Sequence, residues 1–260
     1  MTGKVVKLQG RKRPAERGRL QREAYRRLRE MIIRQELEPG RLVSEVTLGQ
    51  RVGLGRSPVR VALRGLVADG LVSIIPQRGA LISPIDFATE LKVLEVRAEL
   101  ERLLVRGAAM RADAAQRLRM RGLAAALAAA APTPEGVHFV HLLRKVHEVL
   151  TEAADNEFLT SVMDRIHALS RRFWYAHHDR SRPLGKSATL HAERLVFTAD
   201  GDVVQAQAAC DELVAYIEAK VRQAIRAAPD GREARANAVA PDVPHPRSWR
   251  RPFQDERTSR

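Results

Sequence analysis

From Gln21 onward, apolar residues recur at helical spacing. Tyr25, Leu28, Ile32 and Ile33 mark one apolar face, which Leu37-Glu38-Pro39-Gly40 brings to a stop. Ser44 reads as the N-cap of a short second helix carrying Val46, Leu48 and Val52, with Gly53 as its C-terminal stop. Ser57 reads as the N-cap of a third helix, with Pro58 at its first position, where a missing N–H costs nothing. Val59, Leu63, Leu66 and Val67 give that helix its apolar face, and Asp69-Gly70 ends it. Residues 71–75 and 80–83 then predict two short strands around the turn Pro76-Gln77-Arg78-Gly79. Three helices and a hairpin in this order predict a winged helix-turn-helix.

Beyond Ile85 the pattern is helical throughout. Residues 91–110, 114–131, 140–154, 158–174, 188–198 and 203–225 predict helices, with breaks at Pro132-Thr133-Pro134 and Asp200-Gly201-Asp202. Helices of these lengths joined by loops predict an antiparallel bundle. The expected fold class is mainly α: an N-terminal winged helix-turn-helix over residues 20–83, then an antiparallel α-helical bundle over residues 84–228. Residues 1–19 lack periodicity and read as a flexible basic arm. Residues 229–260, rich in Pro, Gly, Arg and Asp, read as a disordered tail.

Charge sharpens this division. The formal charge of the 260 residues is +14, and residues 1–83 carry +11 of it. A positive field concentrated at one end fits a polyanion-binding module joined to a near-neutral domain. The single cysteine, Cys210, leaves no disulfide framework and no cysteine-based zinc site. No apolar run reaches the roughly 18–20 residues that a spanning helix needs, and residues 1–20 lack the apolar stretch of a secretory signal. The expectation is a cytoplasmic protein with no membrane partner. Paired catalytic carboxylates, a nucleophile motif and a phosphate-binding glycine loop are all missing from the sequence, so an enzyme is not expected.

The chemistry concentrates in two places. On the third helix, Arg56, Arg60 and Arg64 follow at i, i+4 and i+8 and so lie near one face. Arginine is well shaped for bidentate contact with guanine in the major groove, and free N–H groups at a helix N-terminus suit phosphate. Arg64 has an alternative partner in Asp69. Arg78-Gly79 at the hairpin tip would set a cation by the minor groove, with glycine allowing close backbone approach. In the bundle, Arg97 sits among Leu94, Leu100 and Leu104, where burial demands an anionic partner. That partner is either Glu101 at i+4 or the carboxylate of a bound organic acid.

The segments Glu38-Pro39-Gly40-Arg41-Leu42-Val43-Ser44-Glu45, Gly55-Arg56-Ser57-Pro58-Val59-Arg60-Val61-Ala62-Leu63, Gly70-Leu71-Val72 and Gln77-Arg78-Gly79-Ala80 closely resemble the DNA-binding domain of GntR-family transcription regulators. Leu94-Glu95-Val96-Arg97-Ala98-Glu99-Leu100-Glu101 looks like the first helix of the all-helical FCD-type effector domain of the FadR-like branch. Asn156, after Ala153-Ala154, and Gly201-Asp202, before Ala206, fit the same domain. The resemblance implies DNA-facing roles for Gly55, Arg56, Ser57, Pro58, Arg60, Arg78 and Gly79. Gly55 departs from the hydroxyl residue more usual there.

Related bundles often hold a divalent metal with one Asp and three His, an Asp-x-x-x-His pair on one helix and single His residues on two later ones. His147 and His191 match two of these positions, but Leu143 and Leu213 stand at the other two. The alternatives are a zinc-like ion held by His147 and His191, a metal-free pocket where these histidines bond an effector or one another, or plain core histidines. The resemblance adds Arg97 as a further effector-facing residue. It implies a homodimeric, ligand-responsive regulator, most often a repressor, on a palindromic double-stranded operator, sensing a small carboxylate metabolite. The rivals are a metal-dependent enzyme in the bundle and a non-specific architectural DNA-binding protein.

Overall fold

The computed structural model describes residues 14–132, 136–177 and 185–227. Helix α1, Pro14–Ile33, starts ahead of the sequence expectation, so residues 14–19 are helical and not part of an arm. The rest of the expected arm and the expected tail from 229 lie outside the described residues. Helix α2, Glu45–Val52, is capped by Ser44, whose side chain accepts from the Thr47 N–H at 3.1 Å, and ends on Gly53 in the left-handed conformation. Helix α3 spans Arg56–Ala68. Leu28, Ile32, Leu48, Leu63 and Leu66 from the three helices are fully buried together, each contributing roughly 2 kcal/mol.

The sheet has one strand more than the hairpin. Strand β1, Leu42–Val43, pairs antiparallel with β3, Gly79–Ile82, which also pairs with β2, Val72–Ile75. The register sets Val72 opposite Ile82 and Leu42 opposite Leu81. Two residues were too few for β1 to show a period of two in the sequence. Its presence explains Gly79, which has φ of 122° and whose added Cβ would meet the Val43 carbonyl oxygen at 2.5 Å. An internal approach, by β1, therefore requires glycine at this position.

The remainder is helical: α4 Phe87–Arg111, α5 Ala114–Ala130, α6 Gly136–Ala154, α7 Glu157–His177, α8 Gly185–Asp200 and α9 Val203–Ala227. Asp86 caps α4 by accepting from Thr89 N at 2.8 Å, and Asp113 with Gln116 forms a reciprocal capping box at α5. Leu104, Met120, Leu127, Phe139, Val146, Leu150 and Leu195 form the bundle core.

The two cores meet along α7. Leu169 packs against the winged-helix core. Arg29 of α1 bonds Asp164 at 2.9 Å, and Arg172 donates to the Ser83 carbonyl in the connection between domains.

Candidate functional site

Helix α3 begins two residues earlier than its sequence suggests. Gly55, not Ser57, is the N-cap, with extended backbone and no side-chain oxygen to offer the first N–H groups. The first helical bond runs from Val59 N to Gly55 O. Ser57 and Pro58 therefore lie inside the first turn, where proline remains tolerable because these N–H groups lack helical acceptors anyway. The unusual glycine thus removes a cap. It leaves the amide donors of Arg56 and Ser57 without a side-chain cap at the exposed end of the helix.

Arg56, Arg60 and Arg64 are all exposed on this helix, and Arg78 is exposed at the hairpin tip. Among the described residues Arg60 alone of the four is ion-paired: its Nε and Nη2 meet both oxygens of Glu45 at 3.0 and 2.8 Å. That contact holds the Glu45 carboxyl below its usual range. An exposed pair of this kind is weak and exchanges readily for a stronger partner. Arg64 does not reach Asp69, which instead accepts from the Tyr25 hydroxyl at 2.5 Å and lies 3.8 Å from Arg29.

The second site is buried between α4, α6, α7 and α8. Glu101, fully buried, accepts from Arg97 Nε at 3.0 Å and His167 Nε2 at 3.1 Å on one oxygen, and from Arg194 Nη1 at 2.5 Å on the other. Of the two partners considered for Arg97, the structure shows Glu101. The two guanidiniums hold this carboxyl well below the carboxylate range despite its burial. Arg194 Nη2 also donates to His191 Nδ1 at 3.3 Å, which sets the His191 proton on Nε2. His147 does not bond His191. Its ring stacks on His167 with centroids 3.4 Å apart, and both of its buried ring nitrogens lack a partner among the described residues. Burial lowers the pKa of His147, His167 and His191, that of His167 to about 4, so all three are neutral at pH 7.

A cavity of about 580 Å³ reaches His147 and His167 from the side where α6 and α7 face α1. Neither Arg97 nor His191 is among its lining residues.

Comparison with known proteins follows this division. Residues 20–82 match the bacterial regulatory proteins of the gntR family, and residues 92–216 match the FCD domain. Together the two matches span most of the chain. The chain belongs to the GntR family of transcription regulators, with an FCD domain.

An HTH-type transcriptional regulator in an unstable DNA locus of Streptomyces ambofaciens is 40% identical over 25% of this chain and 28% of its own length. The HTH-type transcriptional repressor RspR of Escherichia coli is 27% identical over 70% of this chain and 81% of its own. Among solved structures, E. coli McbR/YncC superposes with a TM-score of 0.68 at 16% identity, covering 79% of this chain and 98% of that one. The likeness in structure extends across both domains.

Within this GntR-family chain, the metal set that the resemblance implies does not fit. Leu143 and Leu213 are buried and apolar where an Asp and a His would stand, and His191 is turned to Arg194. The metal-capable atoms that do converge, within 4.8 Å of one another, belong to Glu101, His147 and His167. Both Glu101 oxygens are already engaged by guanidinium cations, which repel a second positive charge. Arg194 thus supplies the buried positive charge in this centre.

His167, Arg194 and Arg171 escaped the sequence reading. Met163, His167 and Arg171 succeed one another at i+4 along one buried line of α7. That spacing is the signal that could have found His167 and Arg171, as the i+4 step from buried Leu190 could have found Arg194 on α8: a polar residue on an apolar row implies a buried function or a buried partner.

Proposed function

We propose that the chain is a ligand-responsive, DNA-binding transcription repressor that acts as a homodimer on a palindromic operator. The observation that carries this reading is the exposed arginine face of α3, with Arg78 on the wing, set on a winged helix-turn-helix. Arg56 and Arg64 make no ion pair among the described residues, and the uncapped N-terminal amides of α3 suit a phosphate. Arg60 completes the face once it leaves Glu45 for a base edge. Ser57, Pro58, Gly55 and Gly79 shape the backbone around these four cations.

The FCD domain supplies the sensor. A small carboxylate suits a polar interior in which two guanidinium groups, Arg97 and Arg194, face a single carboxyl, Glu101. His147 presents open ring nitrogens to it. RspR's description as a repressor supports the sign of regulation. The homodimer is supported by an exposed apolar row on α4, where Val96, Leu103 and Met110 recur every seven residues and are 48%, 37% and 67% exposed.

Selection of duplexes from a random-sequence pool tests the proposal. An inverted repeat should be enriched, and Arg56→Ala should reduce its affinity by about ten- to a hundredfold while barely changing that of scrambled duplex. Uniform weakening on both duplexes would favour non-specific architectural binding instead.

A further inference from the structure

We infer that the cavity between α1 and the α6–α7 pair is an organic-anion site anchored by Arg171, and that its occupant is read directly by the DNA-binding domain. The inference rests on the regulator reading above and deepens it.

The arginines around the cavity are unequal. Arg29 pairs with Asp164, Arg34 with Glu30 and Arg144 with Glu148, while Arg26 at the rim is held by Glu23. Arg171 is only 6% exposed yet makes no hydrogen bond or ion pair among the described residues, and its buried Nε has no partner. Burial and neighbouring arginines lower its pKa to about 10, which still leaves it charged at pH 7. A buried, unpaired guanidinium is costly in an empty protein, and an anion at two of its N–H groups removes that cost. On the lining of the same cavity, the partnerless nitrogens of His147 can bond a hydroxyl or keto group on the same molecule. A volume of about 580 Å³ suits a small ligand. The shared chemistry is an organic anion whose charged end is a carboxylate or a phosphate.

The position of the cavity gives the readout. Arg29 and Arg34 belong to α1, whose Leu28 and Ile32 are built into the winged-helix core. One wall therefore moves with the DNA-binding domain and the other with the FCD domain. A ligand touching both walls binds one relative arrangement of the domains better than others, and so biases it. Arg172, the next residue on α7, grips the Ser83 carbonyl of the connection, placing the anchor beside the joint.

The test titrates intact protein by calorimetry with succinate, 2-oxoglutarate, phosphate and phosphoglycolate. Concentrations run to about 10 mM, where a site of millimolar Kd saturates. At least one should bind saturably, the productive arm distinguishing carboxylate from phosphate. Arg171→Met should weaken that binding tenfold or more, yet leave the empty protein as stable as before or more stable, because it deletes an unpaired buried charge. The bound anion should slow amide hydrogen exchange in α1 as well as in α6 and α7, and shift affinity for the selected duplex several-fold. Absence of binding by every probe, equal binding by Arg171→Met, or a variant that unfolds would each overturn the anion site. Protection confined to α6 and α7 with unchanged DNA affinity would overturn the direct reading by α1. A failed duplex selection beside an intact binding isotherm would instead overturn the regulator reading and leave the anion site standing.

Discussion

The charged side chains of the two candidate sites differ in how far their partners leave them free. Arg60 is the clearest case, since Glu45 holds the guanidinium that the proposed base contact requires. Glu45→Gln should therefore raise affinity for all duplexes by removing a negative charge from the DNA face, and raise it most for the selected sequence by releasing Arg60. Filter-binding or anisotropy titration at fixed salt measures both effects. The histidines give a second prediction. His147, His167 and His191 all have pKa values lowered by burial, so each binds a proton more readily unfolded than folded. Their contribution to stability is complete above their ordinary value of 6.5 and is lost as pH falls below it, toward about 4 for His167. Glu90, pushed up to about 7 by burial and bonded by Ser170 at 3.0 Å, opposes them. Its contribution is complete below 4.5 and is lost as pH rises through 7. Three groups outweigh one, so thermal melting between pH 7 and 5 should show the midpoint falling, less steeply in His167→Gln and more steeply in Glu90→Gln. At this scale the sequence exposed Arg56, Arg64 and His147 but not their surroundings. A pairing such as Arg60 with Glu45, or His167 with Glu101, joins residues on separate helices and depends on how those helices cross.

Among the elements, the helices were legible because their apolar faces repeat over many turns, and apart from the start of α1, seven residues early at Pro14, their ends shifted by at most four residues. Errors fell where a signal was short or ambiguous. Ser57-Pro58 is a good helix start, yet the helix extends back to Gly55 because nothing after that residue interrupts helical backbone. Strand β1 has two residues and lies beside a helix cap, so only its pairing with β3 reveals it. That pairing yields a prediction at Gly79, where a methyl group would strike the Val43 carbonyl and the backbone is left-handed. Gly79→Ala should open the β1–β3 edge and destabilise the winged-helix domain by about 1–3 kcal/mol. Hydrogen exchange should show the loss at Val43 and Ala80 first, while α5 and α8 of the bundle stay protected. Helix α7 gathers the contacts between domains, through Asp164, Leu169 and Arg172, and no periodicity announces that role.

For the whole molecule, the concentration of positive charge in the first third points to nucleic acid before any element is placed, and the share of it on residues 14–83 belongs to a winged helix-turn-helix. The described helices include none long and apolar enough to cross a membrane. The row Val96, Leu103 and Met110 predicts that Leu103→Glu with Met110→Glu dissociates a dimer in sedimentation velocity while leaving helical content unchanged. The central claim is that two copies of the chain each set one α3 into an inverted repeat. Sedimentation equilibrium of the protein with the selected duplex tests it most directly. Two chains per duplex, falling to weak and incomplete binding when one half of the repeat is scrambled, is the expected result. Saturation at one chain per duplex, or chains accumulating in proportion to duplex length without regard to sequence, would contradict it.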